Sequence, residues 1–557
     1  MKIVSILGTG LLLAVFLQSC SRVETEPRDW IRDELVWDDQ DRLATVAQFN
    51  LNDLYNYLPS GFNRIGSGPG DFLDAATDDA IPSRNNRVVR FYANGFINPI
   101  NNPDPYWANS YAGIRRANIF LANIDKVPAT AQSILTWKSE ARFIRAMLYA
   151  ELLKRYGGIP LVGDRIFTIS DDLSLPRNTY RECLEYIVSE CDALKSTLRQ
   201  EPISDTEWGR IPRGAALALK ARVLLYAASP LFNGGASSEL TGFTTTDVSR
   251  WQRALDANQE LIDLKYYALQ TSFNNIFTVK KNAEVILAKQ SGNSTSLESW
   301  NAPIGYGTPA ASQGVTSPTQ NLVDAFPMDN GLAITDPTSG YDPTNPYINR
   351  DSRFDLTVFY NGKRWLQRAV ETFDGGRDRP GGNLVQTQTG YYLRKFMADF
   401  ANNTSYTNQS HNFIYFRYAE TLLNQAEILN ELGRTQEAVD ALMLIRKRAA
   451  IKPGTNSRYG IKAGISKDEL RALIQNERRI ELAFEEHRFW DVRRWKLAET
   501  LFNQPLRGMR ITQVSSGRFS YTPTQVTTIS FQPRLYLMPL PYEEITKNLN
   551  LLQNPGW

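Results

Sequence analysis

Apolar positions recur at three- and four-residue intervals through long stretches of this chain, and the most regular stretch begins at Phe413. Tyr415, Tyr418, Leu422, Ala426 and Leu429 fall on one side of a helix, and Ala419 and Leu423 widen the stripe. Gly433 closes that helix at a left-handed C-terminal position. A second helix starts after Thr435, a usable N-cap, and turns Ala438, Ala441, Leu442, Ile445 and Ala449 inward. The connection Leu432-Gly433-Arg434 is short enough to fold the two helices into a tight antiparallel pair. The small side chains of Ala419, Ala426 and Ala438 let their backbones approach.

The same periodicity predicts helices over Thr45 to Tyr57 (with Val46, Phe49, Leu54 and Tyr57 inward), Tyr106 to Ile124, Trp137 to Tyr156, Tyr180 to Leu198, Pro212 to Ala228 and Trp251 to Leu264. Pro212 suits a first helical turn. Near the C-terminus Ser466 caps a helix over Lys467 to Ala483, with Glu469 completing a capping box. The expected fold is mostly α, with helical pairs stacked side by side. The pairs fit tetratricopeptide-like units or ordinary helical hairpins, and no regular period fits them all. From Lys265 to about His411 the texture changes to Gly, Asn, Pro, Thr and aromatics. Short strands are expected there at Glu284 to Ala288 and Phe354 to Phe359, joined by long loops of the kind that carry function.

A chain of 557 residues suits one large domain or two intimately packed ones. Its formal net charge of +3 gives no basis for a nucleic-acid partner. With 25 Tyr, 26 Phe and 11 Trp, any exposed aromatic surface would suit flat ligands such as sugar rings. Two histidines and three cysteines leave little material for a metal site, so none is expected, and no cofactor is called for. Cys183 and Cys191 lie about 12 Å apart along one predicted helix, beyond the reach of a disulfide. The run Arg478-Arg479-Ile480-Glu481 to Trp495 interleaves acids, arginines and aromatics. Glu481 and Glu485 sit one helical turn apart, which brings their carboxylates close and invites reading them as a glycoside-cleaving pair. The arginines beside them would hold both acids charged, and a buried ion network is the expected role.

Lys2 followed by the apolar run Ile3 to Leu17 reads as a signal peptide over residues 1–19. Ser19 directly before Cys20 points to lipoprotein processing, with Cys20 lipidated, although Gln18 departs from the usual small residue. Plain secretion and a retained N-terminal helix are the alternatives.

With these residues in view, the chain resembles the SusD/RagB family of outer-membrane nutrient-uptake lipoproteins. The resemblance rests on the order and spacing of Tyr111-Ala112-Gly113-Ile114-Arg115-Arg116-Ala117-Asn118, Arg142-Phe143-Ile144-Arg145-Ala146, Arg155-Tyr156-Gly157-Gly158-Ile159-Pro160-Leu161 and Arg210-Ile211-Pro212-Arg213-Gly214. It continues through Phe326-Pro327-Met328, Asp351-Ser352-Arg353, Arg417-Tyr418-Ala419-Glu420 and Glu485-Glu486-His487-Arg488 to the closing Gln553-Asn554-Pro555-Gly556-Trp557. It implies a tetratricopeptide-like helical scaffold bearing a loop-rich ligand-binding half, divided here as an N-terminal region over residues 20–264 and a C-terminal region over 265–557 packed as one unit. It also implies a non-enzymatic, lipid-anchored protein facing the cell exterior, which captures oligosaccharide, or in some branches peptide, for a SusC-like TonB-dependent transporter. A surface glycoside hydrolase is the rival class.

A sugar site needs exposed aromatic platforms beside amides or carboxylates. The loop-rich stretches offer Trp300, Tyr306, Trp107, Tyr92, Asp79 and Asn301. Trp300 ranks first, because it follows the polar run Ser291 to Ser299 and precedes a Gly-rich turn, so that neither helix nor strand is expected to bury it.

Overall fold

The protein is described by a computed structural model covering residues 36–306, 312–381, 387–400 and 404–557. Most of the expected helices form. They are α1 (Thr45–Leu54), α2 (Tyr106–Asn123), α3 (Ala131–Tyr156), α4 (Tyr180–Leu194), α5 (Arg213–Ala228) and α6 (Ser249–Ile262), followed by the short α7 (Ser296–Asn301). Then come α8 (Tyr418–Glu431), α9 (Thr435–Arg448), α10 (Lys467–Glu481) and α11 (His487–Arg494). Local chemistry sets their ends. Thr130 accepts from the Ser133 N–H and starts α3 a turn and a half before the apolar stripe does. Thr179 with Glu182, and Ser466 with Glu469, form reciprocal capping boxes on α4 and α10. Pro212 occupies the N-cap position of α5 rather than its first turn.

From α2 to α6 each helix packs on the next, α6 packs on α8, and α8 carries α9 and α10. The helix α5 is buried on nearly every side, which its Ala- and Leu-rich sequence permits. As expected, α8 and α9 form a pair joined through Gly433, whose φ of 79° is left-handed.

Four local expectations are corrected. Phe413–Arg417 is a strand, not the first turn of a helix. It pairs antiparallel with Val285–Lys289, and all five of its residues are buried. A short, fully buried apolar run carries no periodicity that separates strand from helix. Phe354 to Phe359 is largely helical, because Asp351 accepts from the Arg353 N–H and caps a turn over Ser352–Thr357. On α1 the buried face is Ala47, Leu51 and Leu54, while Phe49 is 65% exposed. A long hairpin, Pro505–Ser515 with Arg518–Thr528, had no place in the expected scheme. Its alternating residues around Ser516-Gly517 carried the signal.

One hydrophobic core runs from α1 to the C-terminal tail, and arginine–carboxylate pairs are buried inside it. Arg353 and Arg417 donate to Glu481 at 2.8 and 2.7 Å, and Arg448 joins them. Arg417 and Lys395 both reach Glu485 at 2.7 Å. Arg488 clamps Asp78 at 2.8 Å, and Arg479 holds Asp79 at 2.6 Å, tying the first hundred residues to α10 and α11. The C-terminal tail is locked onto the core. Asn554 Nδ2 donates to the Tyr156 and Met538 carbonyls, its Oδ1 accepts from Arg177, and the Trp557 indole N–H reaches the Arg534 and Leu537 carbonyls. Two separate stretches that carried the family resemblance, around Tyr156-Gly157-Gly158 and Asn554-Pro555-Gly556-Trp557, thus meet in space. No helix among the described residues is long and apolar enough to cross a membrane.

Candidate functional site

The cleft best suited to a ligand forms where three distant segments converge: the loop from Leu58 to Asn63, the stretch from Lys289 to Trp300, and the residues around His411–Phe413. The strand Val285–Lys289 ends at its wall. Beyond it Asn293–Ser294 pairs with Gln409–Ser410, which holds the second and third segments together. Next comes α7, pinned from two sides. Asn301 Nδ2 donates to Asn63 Oδ1 at 2.8 Å, while Asn63 Nδ2 returns a bond to Asn301 Oδ1 at 3.1 Å. On the same helix the buried Glu298 meets His411 Nε2 at 3.1 Å.

The cleft so formed holds about 200 Å³ and is lined by Phe62, Lys289, Gln290, Trp300, His411 and Phe413, among others. Its floor is aromatic, with Phe62 and Phe413 meeting edge to face at 5.3 Å. Ser60, Ser291 and Ser294 put hydroxyls at the rim. Gly61 makes this floor possible. Its φ is 76°, and a Cβ there would lie 2.2 Å from the Phe413 ring. His411 is 8% exposed. One of its ring nitrogens is engaged by Glu298, and Nδ1 has no hydrogen-bond partner among the described residues. Trp300 is half-buried and lines this cleft. It does lie on a helix, contrary to expectation. The helix is only six residues long, too short to cover the ring.

The other expected contacts do not join it. Trp107 is buried on α2, packed on Tyr156 at 5.3 Å and on Tyr111 at 5.1 Å. Tyr92 is buried edge-on against Phe489, and its hydroxyl donates to Asn102. Tyr306 is buried in a small aromatic cluster, with the Arg368 guanidinium 3.7 Å from its ring centre. Asp79 is fully buried on Arg479. None of these four offers a free face. Asn301 is fully buried too, and its position is that of a strut for α7 rather than of an exposed contact. Sequence reasoning missed Phe62, Lys289, Gln290, His411 and Phe413. Only a three-dimensional juxtaposition selects them, although the polar run before Trp300 did mark one wall. Cys20 lies outside the described residues.

The acidic pair Glu481 and Glu485 is part of the ion network, as expected. Burial opposes the charge of Glu485, but Arg417 and Lys395 outweigh it and hold the carboxyl down to about 2. Glu481 is likewise held well below the usual range, against burial, by Arg448, Arg417 and Arg353. A carboxyl that stays ionised cannot serve as a general acid at neutral pH. His487 is pushed down to about 4, chiefly by burial, and is neutral there. Cys183 and Cys191 are free thiols buried in the core.

Comparison with known proteins agrees with this fold. The family model described as the SusD family matches residues 283–557, and one described as starch-binding, associating with the outer membrane, matches residues 51–225. SusD-like protein P2 of Formosa agariphila is 26% identical over 507 residues, covering 88% of this chain and 86% of its own. A SusD-like protein from Bacteroides fragilis superposes with a TM-score of 0.77 at 26% identity, covering 95% of this chain and 99% of its own. A laminarin-binding SusD-like protein has the same fold, with a TM-score of 0.64 at 22% identity over 92% of this chain and 99% of its own. With both halves of the chain matched in this way, this protein belongs to the SusD/RagB family.

Proposed function

We propose that this protein captures oligosaccharide at the cell surface and delivers it to a SusC-like TonB-dependent transporter, and that a lipid on Cys20 anchors it in the outer membrane. The observation that carries the reading is the half-buried Trp300 lining one cleft together with Phe62, Phe413, serine hydroxyls and the Gln290 amide, within a family described as starch-binding and associated with the outer membrane. Such a platform meets the C–H face of a pyranose while the rim meets its hydroxyl edge. Relatives that carry carbohydrate-binding or laminarin-binding names support the same cargo class.

The test is isothermal titration of the chain truncated after Cys20 against an oligosaccharide panel, with and without Trp300→Ala. The variant is expected to lose about 1–3 kcal/mol of affinity for the best glycan, the range for stacking on an aromatic platform, with an unchanged melting curve. Unchanged affinity removes Trp300 from the site. Binding confined to peptides replaces the cargo class, and turnover of a bound glycan replaces the binding reading with an enzymatic one. For delivery, solubilised native protein should co-purify with a TonB-dependent barrel, and its consistent absence would argue against the partnership. For the anchor, Cys20→Ser lacks the thiol that accepts the lipid, so metabolic fatty-acid label should disappear. Retained label on C20S would overturn that assignment.

A further inference from the structure

Lys289 and Gln290 line the Trp300 cleft and also line a second cleft of about 310 Å³, walled by Asn56, Trp208 and Arg210. The end of the strand Val285–Lys289 is thus a wall that the two clefts share. Among the described residues no Asp or Glu lines either cleft, while Lys289 lines both and Arg210 the second. The charge of Arg210 is partly offset by Glu140 at 3.4 Å. That of Lys289 is not. Its Nζ donates to the Leu58 carbonyl at 2.9 Å, it pairs with no carboxylate among the described residues, and burial alone pulls its ammonium down. A half-buried ammonium whose partner is a carbonyl lacks the counter-charge that normally accompanies such a group. The wall that the two clefts share therefore carries a cation with no carboxylate partner among the described residues.

Building on the carbohydrate reading above, we infer that the cargo is an acidic oligosaccharide, whose carboxylate or sulfate group seats beside Lys289 while a neighbouring sugar ring lies on Trp300 in the same cleft. The arrangement supplies both kinds of recognition a charged glycan needs. An aromatic face takes the ring, and a charge-assisted hydrogen bond from Nζ takes the anion.

The test titrates the chain truncated after Cys20 with two matched pairs of probes: a tetragalacturonate and the same tetrasaccharide with its carboxylates reduced to primary alcohols, and a sulfated galactan tetrasaccharide and its desulfated form. At least one acidic probe is expected to bind about tenfold or more tightly than its neutral partner, and which pair responds tells carboxylate from sulfate. That advantage should vanish in about 0.5 M NaCl and in Lys289→Met, and persist in Lys289→Arg. The comparison within each pair uses the unaltered protein and does not depend on how the variants fold. Neutral probes binding as tightly as acidic ones, or an acidic advantage untouched by Lys289→Met, would overturn the inference. If neutral glycans bind and Trp300→Ala weakens them while no acidic probe gains, the carbohydrate reading stands and the charge inference alone falls. If acidic peptides bind and no oligosaccharide does, both fall.

Discussion

Glu485 is a carboxylate in the protein interior, where burial favours the protonated form, yet Arg417 and Lys395 keep it ionised down to about pH 2. The sign of the consequence follows. An unfolded glutamate takes up its proton near 4.5, well above the folded value, so the stability this group contributes is complete above pH 4.5 and is lost as pH falls towards 2. Glu485→Gln should cost about 3–5 kcal/mol at pH 7, because it takes the carboxylate from the buried Lys395 and one of those that hold the buried Arg417. Its deficit relative to wild type should shrink as pH falls from 4.5 to 2 in denaturant melts. A deficit independent of pH would place the loss in packing rather than charge. The same chemistry explains why single residues were the least legible part of the sequence. Thr77-Asp78-Asp79 reads as a solvated polar run, but its partners, Arg479 and Arg488, stand some 400 positions away. Tyr92, Trp107 and Tyr306 differ from Trp300 in what packs on them, which composition does not record.

Elements were far more legible. Helices declare themselves by local means, an apolar stripe and a capping side chain, and from α2 to α10 most were found within one turn of their ends. The strand Phe413–Arg417 was not, since its five buried residues are specified by the facing strand Val285–Lys289. The loop from Leu58 to Asn63 is the element on which the candidate site depends most. It lies against Phe413 only because position 61 has no side chain. Gly61→Ala places a methyl group inside the space of the Phe413 ring at a left-handed φ. Overpacking alone costs about 1–3 kcal/mol, and the backbone strain adds to it. The expected outcome is a lowered melting temperature together with weakened glycan binding. Unaltered binding in a destabilised G61A protein would separate the aromatic floor from recognition. The walls of the cleft were half legible: the polar run before Trp300 marked one segment, and nothing local marked the other two.

At the scale of the whole molecule, residues far apart in the chain are held by clamps such as Asp78 with Arg488, Asn554 with Arg177 and Tyr156, and the Asn63–Asn301 amide pair. The amide pair belongs to the candidate site itself, whose three segments are widely separated in the chain. A ligand lodged among them would bridge residues near position 60 and position 411 and could not be held by the unfolded chain. Its binding energy would then be added to that of folding, by about 2.7 kcal/mol when free ligand is a hundred times its dissociation constant. Occupancy of this small cleft would register as heat resistance of the folded protein, and the melting curve itself becomes a detector by which an unknown cargo can be recognised.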